Sequence, residues 1–277
     1  MNPSDMEKLD ELPTLPRAVE DIFHVVNDRE APLSAVAAAL AQDPGTVARI
    51  VAAANAAFFV GHQTIYTVDD AAVRLGLNRV RVLATSTLLA SRFRPEECPA
   101  FDQGRYWLRA MSVAMCASKL ANYVPLETPS SAAYLAGLLH HAGVLALAYG
   151  FPDKTHAVLE GRDAGTREQM TLAAALQESM GIDHRAAGGY VLRRWGVPAP
   201  AAVIAETYGD PDYQGDFARL QRLIRVCIGW YRSGYQEVPE NDILRALPES
   251  KIANIGASCR REDEQLRSFA SQLAVAA

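Results

Sequence analysis

Apolar positions recur at three- and four-residue spacing along most of this chain, and no stretch alternates apolar and polar residues between turn signals. That period lays one face of a helix on a core, so the pattern predicts an all-α chain without a sheet. PRAVEDIFHVVND puts Val19, Ile22, Phe23 and Val26 on one stripe. PLSAVAAALAQ and DPGTVARIVAAANAAFF follow. Asp43 can cap the latter while Pro44 takes its first position, where a missing N–H costs nothing. TVDDAAVRLG carries a Thr67–Asp70 capping pattern and stops at Gly76; NRVRVLATSTLLASRF runs on from an Asn78 cap. After a break between Pro95 and Pro99, DQGRYWLRAMSVAMCASKLANYV predicts a long helix. Further helices are expected in TREQMTLAAALQESMG (Thr166–Gln169 capping box, Gly181 stop), DHRAAGGYVLRRWGVP, APAAVIAETYG, DFARLQRLIRVCIGWYRSG and REDEQLRSFASQLAVA.

Between these lies AYLAGLLHHAGVLALAYGF, residues 133–151, an apolar segment with two adjacent histidines at its centre. Neighbours on a helix point about 100° apart, so His140 and His141 can serve one ion only at a helix end or a distortion. The segment is the one membrane candidate, and its paired imidazoles would be costly in hydrocarbon. With the acidic, polar start MNPSDMEKLDELP, which does not read as a secretory signal, this predicts a cytoplasmic protein with no membrane contact.

Composition narrows the function classes. The 277 residues suffice for a sizeable core, and 49% hydrophobic with 21% charged residues is ordinary for a globular chain. A net charge of −5 argues against a surface built throughout for nucleic acid. The scattered Cys98, Cys116, Cys227 and Cys259 form no CxxC pair, so neither a zinc ribbon nor a disulfide framework is expected. No phosphate loop, dinucleotide fingerprint or nucleophile elbow is present. Residues 36–54 have the outline of a helix-turn-helix, and Arg74, Arg79, Arg81, Arg92 and Arg94 offer phosphate contacts. The presumed reading helix, however, carries only Arg49, so the side chains that read bases are missing and nucleic acid is not the expected partner. Tyr106, Trp107, Tyr190 and Trp195, with Phe58 and Phe59, are expected in the core. Of the six histidines, His140, His141 and His184 are the candidate metal ligands. The competing reading is a buried imidazole bonded to a backbone carbonyl.

Several ordered motifs together resemble the HDOD (HD-related output) domain of bacterial signalling proteins. They are LPTLP at Leu12–Pro16, Asp43–Pro44, ANAAFF at Ala54–Phe59, TIYTVDDAAVRLGLNRVRVLA, AYLAGLLHHAGVLAL and ESMGIDHRAAGGYVLRRWGVP. The resemblance covers about residues 9–210 and implies an HD-like helical bundle of two subdomains, 9–94 and 102–210, with 211–277 as a helical extension packed on it. The relatives descend from metal-dependent HD phosphohydrolases, including enzymes that hydrolyse cyclic di-GMP, whereas HDOD domains act as output or scaffold modules without established catalysis. Carried over, the HD pair falls on His140 and His141, so the metal-bridging aspartate is replaced by His141. The later ligand histidine falls on His184, and a following His-His pair falls where Tyr208 and Gly209 stand. The resemblance therefore implies no catalytic residue, cofactor or bound metal, and other signalling proteins as partners, in cyclic-di-GMP, motility or stress signalling. The expected contact surfaces are the groove between subdomains and the stretch Arg74–Arg94. The alternatives are a residual metal-dependent phosphohydrolase using His140, His141 and His184, and a nucleic-acid- or nucleotide-binding regulator.

Overall fold

In a computed structural model, the structure describes residues 10, 15–28, 30–55, 64–93, 97–163, 170–239, 241–245 and 247–275. The expectations placed on Leu12–Thr14, Ala56–Phe59, His62, Arg94 and Thr166–Gln169 lie outside these. Among the described residues there are helices and no strand.

The first group of helices follows local rules closely. In α1 (Arg17–Asn27), Val19, Ile22, Phe23 and Val26 are buried, the stripe that the spacing predicts. This face packs on α2 (Leu33–Leu40) and on α5 (Leu77–Arg92). The Asp43 carboxylate accepts the Thr46 amide at 3.2 Å at the start of α3 (Pro44–Asn55). Asn55 then clamps the next segment, donating to the Ile65 carbonyl and accepting its amide. Thr67 caps α4 (Val68–Leu75), accepting the Asp70 amide at 3.1 Å. Gly76, at φ 85°, both ends α4 and precedes α5, so Asn78 lies inside α5 and does not cap it. One residue with positive φ makes the turn, and glycine is the residue that adopts it freely.

Three arginines of this region, Arg74, Arg79 and Arg81, have partners within the protein. Arg74 donates to the Ala54 carbonyl and the Asn55 side chain, and Arg81, only 4% exposed, donates to the carbonyls of Asp28 and Ala31. Arg79 pairs with Glu262, which also binds Lys119 at 3.0 Å. These cations tie helices together because buried backbone carbonyls and a shielded carboxylate reward them more than solvent does.

The second group is organised around α6 (Gln103–Leu120), whose N-terminus is capped by Asp102 accepting the Arg105 amide at 2.8 Å. Trp107, Met111, Val113 and Cys116 of α6 are fully or almost fully buried. On α6 pack α7 (Ser130–Leu139), α13 (Ala218–Arg232) and the long α14 (Glu249–Val275), while α5 touches α6, α7 and α14 and so joins the two groups. The Cys116 thiol meets Cys227 and Cys259 where α6, α13 and α14 converge, and all four cysteines are buried free thiols. Trp107 and Trp195 are in the core as predicted, whereas Tyr190 is partly exposed and donates to Asp10.

The apolar segment around the paired histidines is two helices, α7 and α8 (Ala142–Gly150), interrupted at His140–His141. Ala132–Gly150 is apolar enough to cross a membrane, yet 83% of it is buried within the protein. Then α9 (Pro152–Asp163), which the periodicity misses, leads to α10 (Leu172–Met180), capped by Thr171 and stopped by Gly181 at φ 74°. Helices α11 (His184–Arg194) and α12 (Ala199–Thr207) close the bundle, α11 lying across α8 and α12 across α7. The crossing of α8 and α11 is unusually tight: a Cβ on Gly143 would sit 1.8 Å from the His184 carbonyl oxygen. This contact fixes the spacing between the two halves of the candidate site.

Candidate functional site

The break between α7 and α8 is what lets adjacent histidines face one another. His141 has φ −112° and ψ 14°, outside the helical range, so the 100° divergence of helical neighbours no longer applies. The His140 and His141 rings stack with centroids 5.5 Å apart, and His184 meets His141 edge-on at 5.0 Å. All three sequence candidates are therefore brought together. His184 is delivered by the first turn of α11, where Asp183 accepts the amides of Arg185 and Ala186 at 2.6 and 3.0 Å. Tyr208, at the end of α12, completes the cluster: its hydroxyl lies 2.7 Å from His184 Nε2, and its ring packs edge-on against His140 at 5.3 Å.

Burial sets the charge of these groups. His140 is 1% exposed and His184 5%. His140 Nδ1 lies 2.6 Å from the Gly137 carbonyl, so this nitrogen carries the proton and donates, and Nε2 is left with a lone pair and no partner among the described residues. Burial, and then the Arg109 charge, push the His140 pKa down to about 3. Burial likewise lowers His184 to about 4, the Asp183 charge only partly opposing it. His141 is lowered by the same two causes as His140. Burial works against the Asp183 charge, but Arg185 and the two amides outweigh it and hold the carboxyl below its usual range. The Tyr208 hydroxyl, pushed up to about 12 by burial, stays protonated. At neutral pH the cluster is thus three neutral imidazoles and a phenol.

That donor set does not fit a divalent cation. It contains no carboxylate to offset the ion's charge, Tyr208 occupies His184 Nε2, and the guanidinium of Arg109 adds positive charge nearby. Among the described residues no group of three or more His, Cys, Asp or Glu side chains is arranged to hold a metal.

A cavity of about 1050 Å³ opens over the cluster, lined by His141, His184, Tyr208 and Tyr106. Arg105, Arg109, Arg185, Arg225 and Arg232 also line it, and among the described residues Asp102 is the one carboxylate of the lining. Sequence reasoning named Tyr208 only as a replaced position and missed these arginines. Their signal was faint: Arg105 and Arg109 share a face at i,i+4, and Arg225 and Arg232 share one at i,i+7. Arg185 is held by Asp183 at 3.0 Å and Arg225 donates to the Tyr208 carbonyl at 3.1 Å.

The HDOD domain family profile matches residues 12–211. A candidate signal transduction protein of Marinobacter aquaeolei has a similar structure, with TM-score 0.77 and 23% identity. The match covers 95% of this chain and 60% of that one. A candidate phosphohydrolase of Shewanella amazonensis superposes with TM-score 0.71 at 22% identity, over 97% of each chain. An HDOD domain protein of unknown function from Geobacter sulfurreducens gives 0.66 at 21%, over 99% of this chain and 94% of its own. Among curated proteins, an uncharacterized protein of Treponema pallidum is 21% identical over 194 residues. These are 70% of this chain, which spans 37% of that protein's length.

Proposed function

This chain belongs to the HDOD domain family, and on that premise we propose that it is a non-catalytic, cytoplasmic signal-transduction module that acts through contacts with other signalling proteins. The observation that carries the reading is the replacement of a charged metal-binding pair by neutral imidazoles. His141 stands where an HD enzyme has its aspartate, and the Arg109 charge beside it opposes a cation. The signal-transduction role named for the similar Marinobacter protein supports the same direction. The name given to the similar Shewanella protein favours instead a residual phosphohydrolase.

One experiment separates the two. The purified chain is incubated with manganese, iron or zinc, desalted, and assayed for bound metal and for hydrolysis of cyclic di-GMP and bis(p-nitrophenyl) phosphate. The scaffold reading expects no stoichiometric metal and no turnover above that of the His140→Ala and His184→Ala variants. Metal bound one per chain, with turnover that both variants lose, would overturn it.

A further inference from the structure

We propose that the cavity over the histidine cluster binds a small phosphate ester of nucleotide size, its phosphate held by Arg105, Arg109 and Arg232. Among the described residues the cavity gathers five guanidinium groups and one carboxylate, in a chain whose net charge is −5, so positive charge is concentrated here against the trend of the molecule. Two of the five, Arg185 and Arg225, are engaged by Asp183 and by the Tyr208 carbonyl. Arg105, Arg109 and Arg232 form no ion pair among the described residues.

Arg109 is the most telling of the three. It rises from the middle of α6, is largely enclosed by protein, and its Nε is buried without a hydrogen-bond partner among the described residues. Arg105 and Arg232 line the same cavity, so three like charges surround one space, and burial with those charges lowers the Arg109 pKa. Such an arrangement costs free energy unless an anion completes it. His184 lines the same cavity, and its Nδ1 is also buried without a hydrogen-bond partner among the described residues. Among the described residues, one strong donor and one ring nitrogen of the cavity lining are therefore left unmatched.

The kind of anion follows from geometry. A guanidinium presents paired N–H donors that match two oxygens of a phosphate, and a phosphate dianion has enough oxygens to be shared among three of them. The volume, about 1050 Å³, is far larger than a free phosphate needs and lies at the upper end of small-molecule sites. The rest of the lining includes Phe101, Tyr106, Leu159 and Ile228, which suit a flat organic body. A nucleotide has both parts. The inference stands apart from the scaffold reading, since a ligand can occupy the site whichever partner the module contacts.

Isothermal titration calorimetry of the intact chain tests it, with inorganic phosphate, ATP, GTP and cyclic di-GMP as separate probes. At least one nucleotide is expected to bind one per chain with Kd of roughly 10 µM or tighter, and inorganic phosphate at least ~100-fold more weakly. Arg109→Gln and Arg232→Gln are each expected to weaken the nucleotide about tenfold or more. Arg105→Gln and Arg232→Gln alter exposed side chains, so they keep the test informative should Arg109→Gln fail to fold. Absence of binding by every nucleotide at millimolar concentration would overturn the proposal. So would nucleotide affinity unchanged in both Arg105→Gln and Arg232→Gln, or phosphate binding as tightly as the best nucleotide.

Discussion

Acid should unfold this protein through its histidine cluster. His140 is neutral in the fold, with its pKa down at about 3, and returns to an ordinary value near 6.5 when the chain unfolds. Below pH 6.5 the unfolded chain binds a proton that the folded one refuses, so stability is full above that pH and falls as the pH drops toward 3. Between pH 7 and pH 5 the loss from His140 alone is about 2 kcal/mol, with a slope near 1.4 kcal/mol per pH unit at the lower end. His184 and His141 act with the same sign, because burial lowers both. Asp183 adds to the trend only below about pH 4, since its carboxyl titrates there in the unfolded chain. The assay is urea unfolding at intervals from pH 7 to pH 5, with the wild type beside His140→Gln and His184→Gln. Each variant starts less stable, yet its slope should be shallower than wild type by about 1.4 kcal/mol per pH unit near pH 5. Equal slopes in all three proteins would refute the reasoning, for the imidazoles would then titrate alike in both states.

Three further outcomes test how the site is held. Gly143→Ala should cost about 3 kcal/mol or more, since its Cβ would meet the His184 carbonyl at 1.8 Å and backbone cannot step aside; a thermal midpoint lowered by roughly 6 °C or more in circular dichroism checks it. Asp183→Ala removes the acceptor of two amides at the start of α11 and should cost about 1–2 kcal/mol, more than Thr171→Ala, which removes one such bond from α10; urea midpoints of the two variants decide the order. Glu262→Gln leaves Arg79 and Lys119 without their shared carboxylate and should destabilise the fold by about 2 kcal/mol, with faster amide exchange concentrated in α14.

The parts of the fold that the sequence made legible are those governed by a few neighbouring residues. The stripe of α1, the Asp43–Pro44 start of α3 and the glycine turns at 76 and 181 each follow from a local rule, and each stands where it was expected. The misses fall where a distant contact decides. Helix α9 shows no apolar stripe, because it buries Thr155 and Val158 while Asp153, Lys154 and Glu160 face outward. The start of α14 lies well before the stretch expected from Arg261, and Gly256 there packs directly against the Trp230 ring of α13. The Arg74–Arg81 arginines look like a cationic surface in one dimension because their acceptors, from Asp28 to Glu262, lie up to 183 residues away.

The candidate site divides along the same line. His140, His141 and His184 could be named from type and motif, but adjacency alone left open whether the first two could meet, and only the break between α7 and α8 answers that. Tyr208 was visible as a residue standing where a ligand histidine was expected; its hydroxyl turns out to lie within hydrogen-bond distance of His184 Nε2. The arginines were the least legible. Arg105 and Arg109 belong to α6, Arg225 and Arg232 to α13, and more than a hundred residues separate the pairs in the chain. Two arginines on one helix face usually mean a solvated surface, and nothing in either segment says that α13 packs on α6. Once it does, two ordinary surface patterns become one wall of a cavity. His141, which the resemblance places where HD enzymes have an aspartate, then gains a second meaning: it lies in the cavity around which the arginines gather.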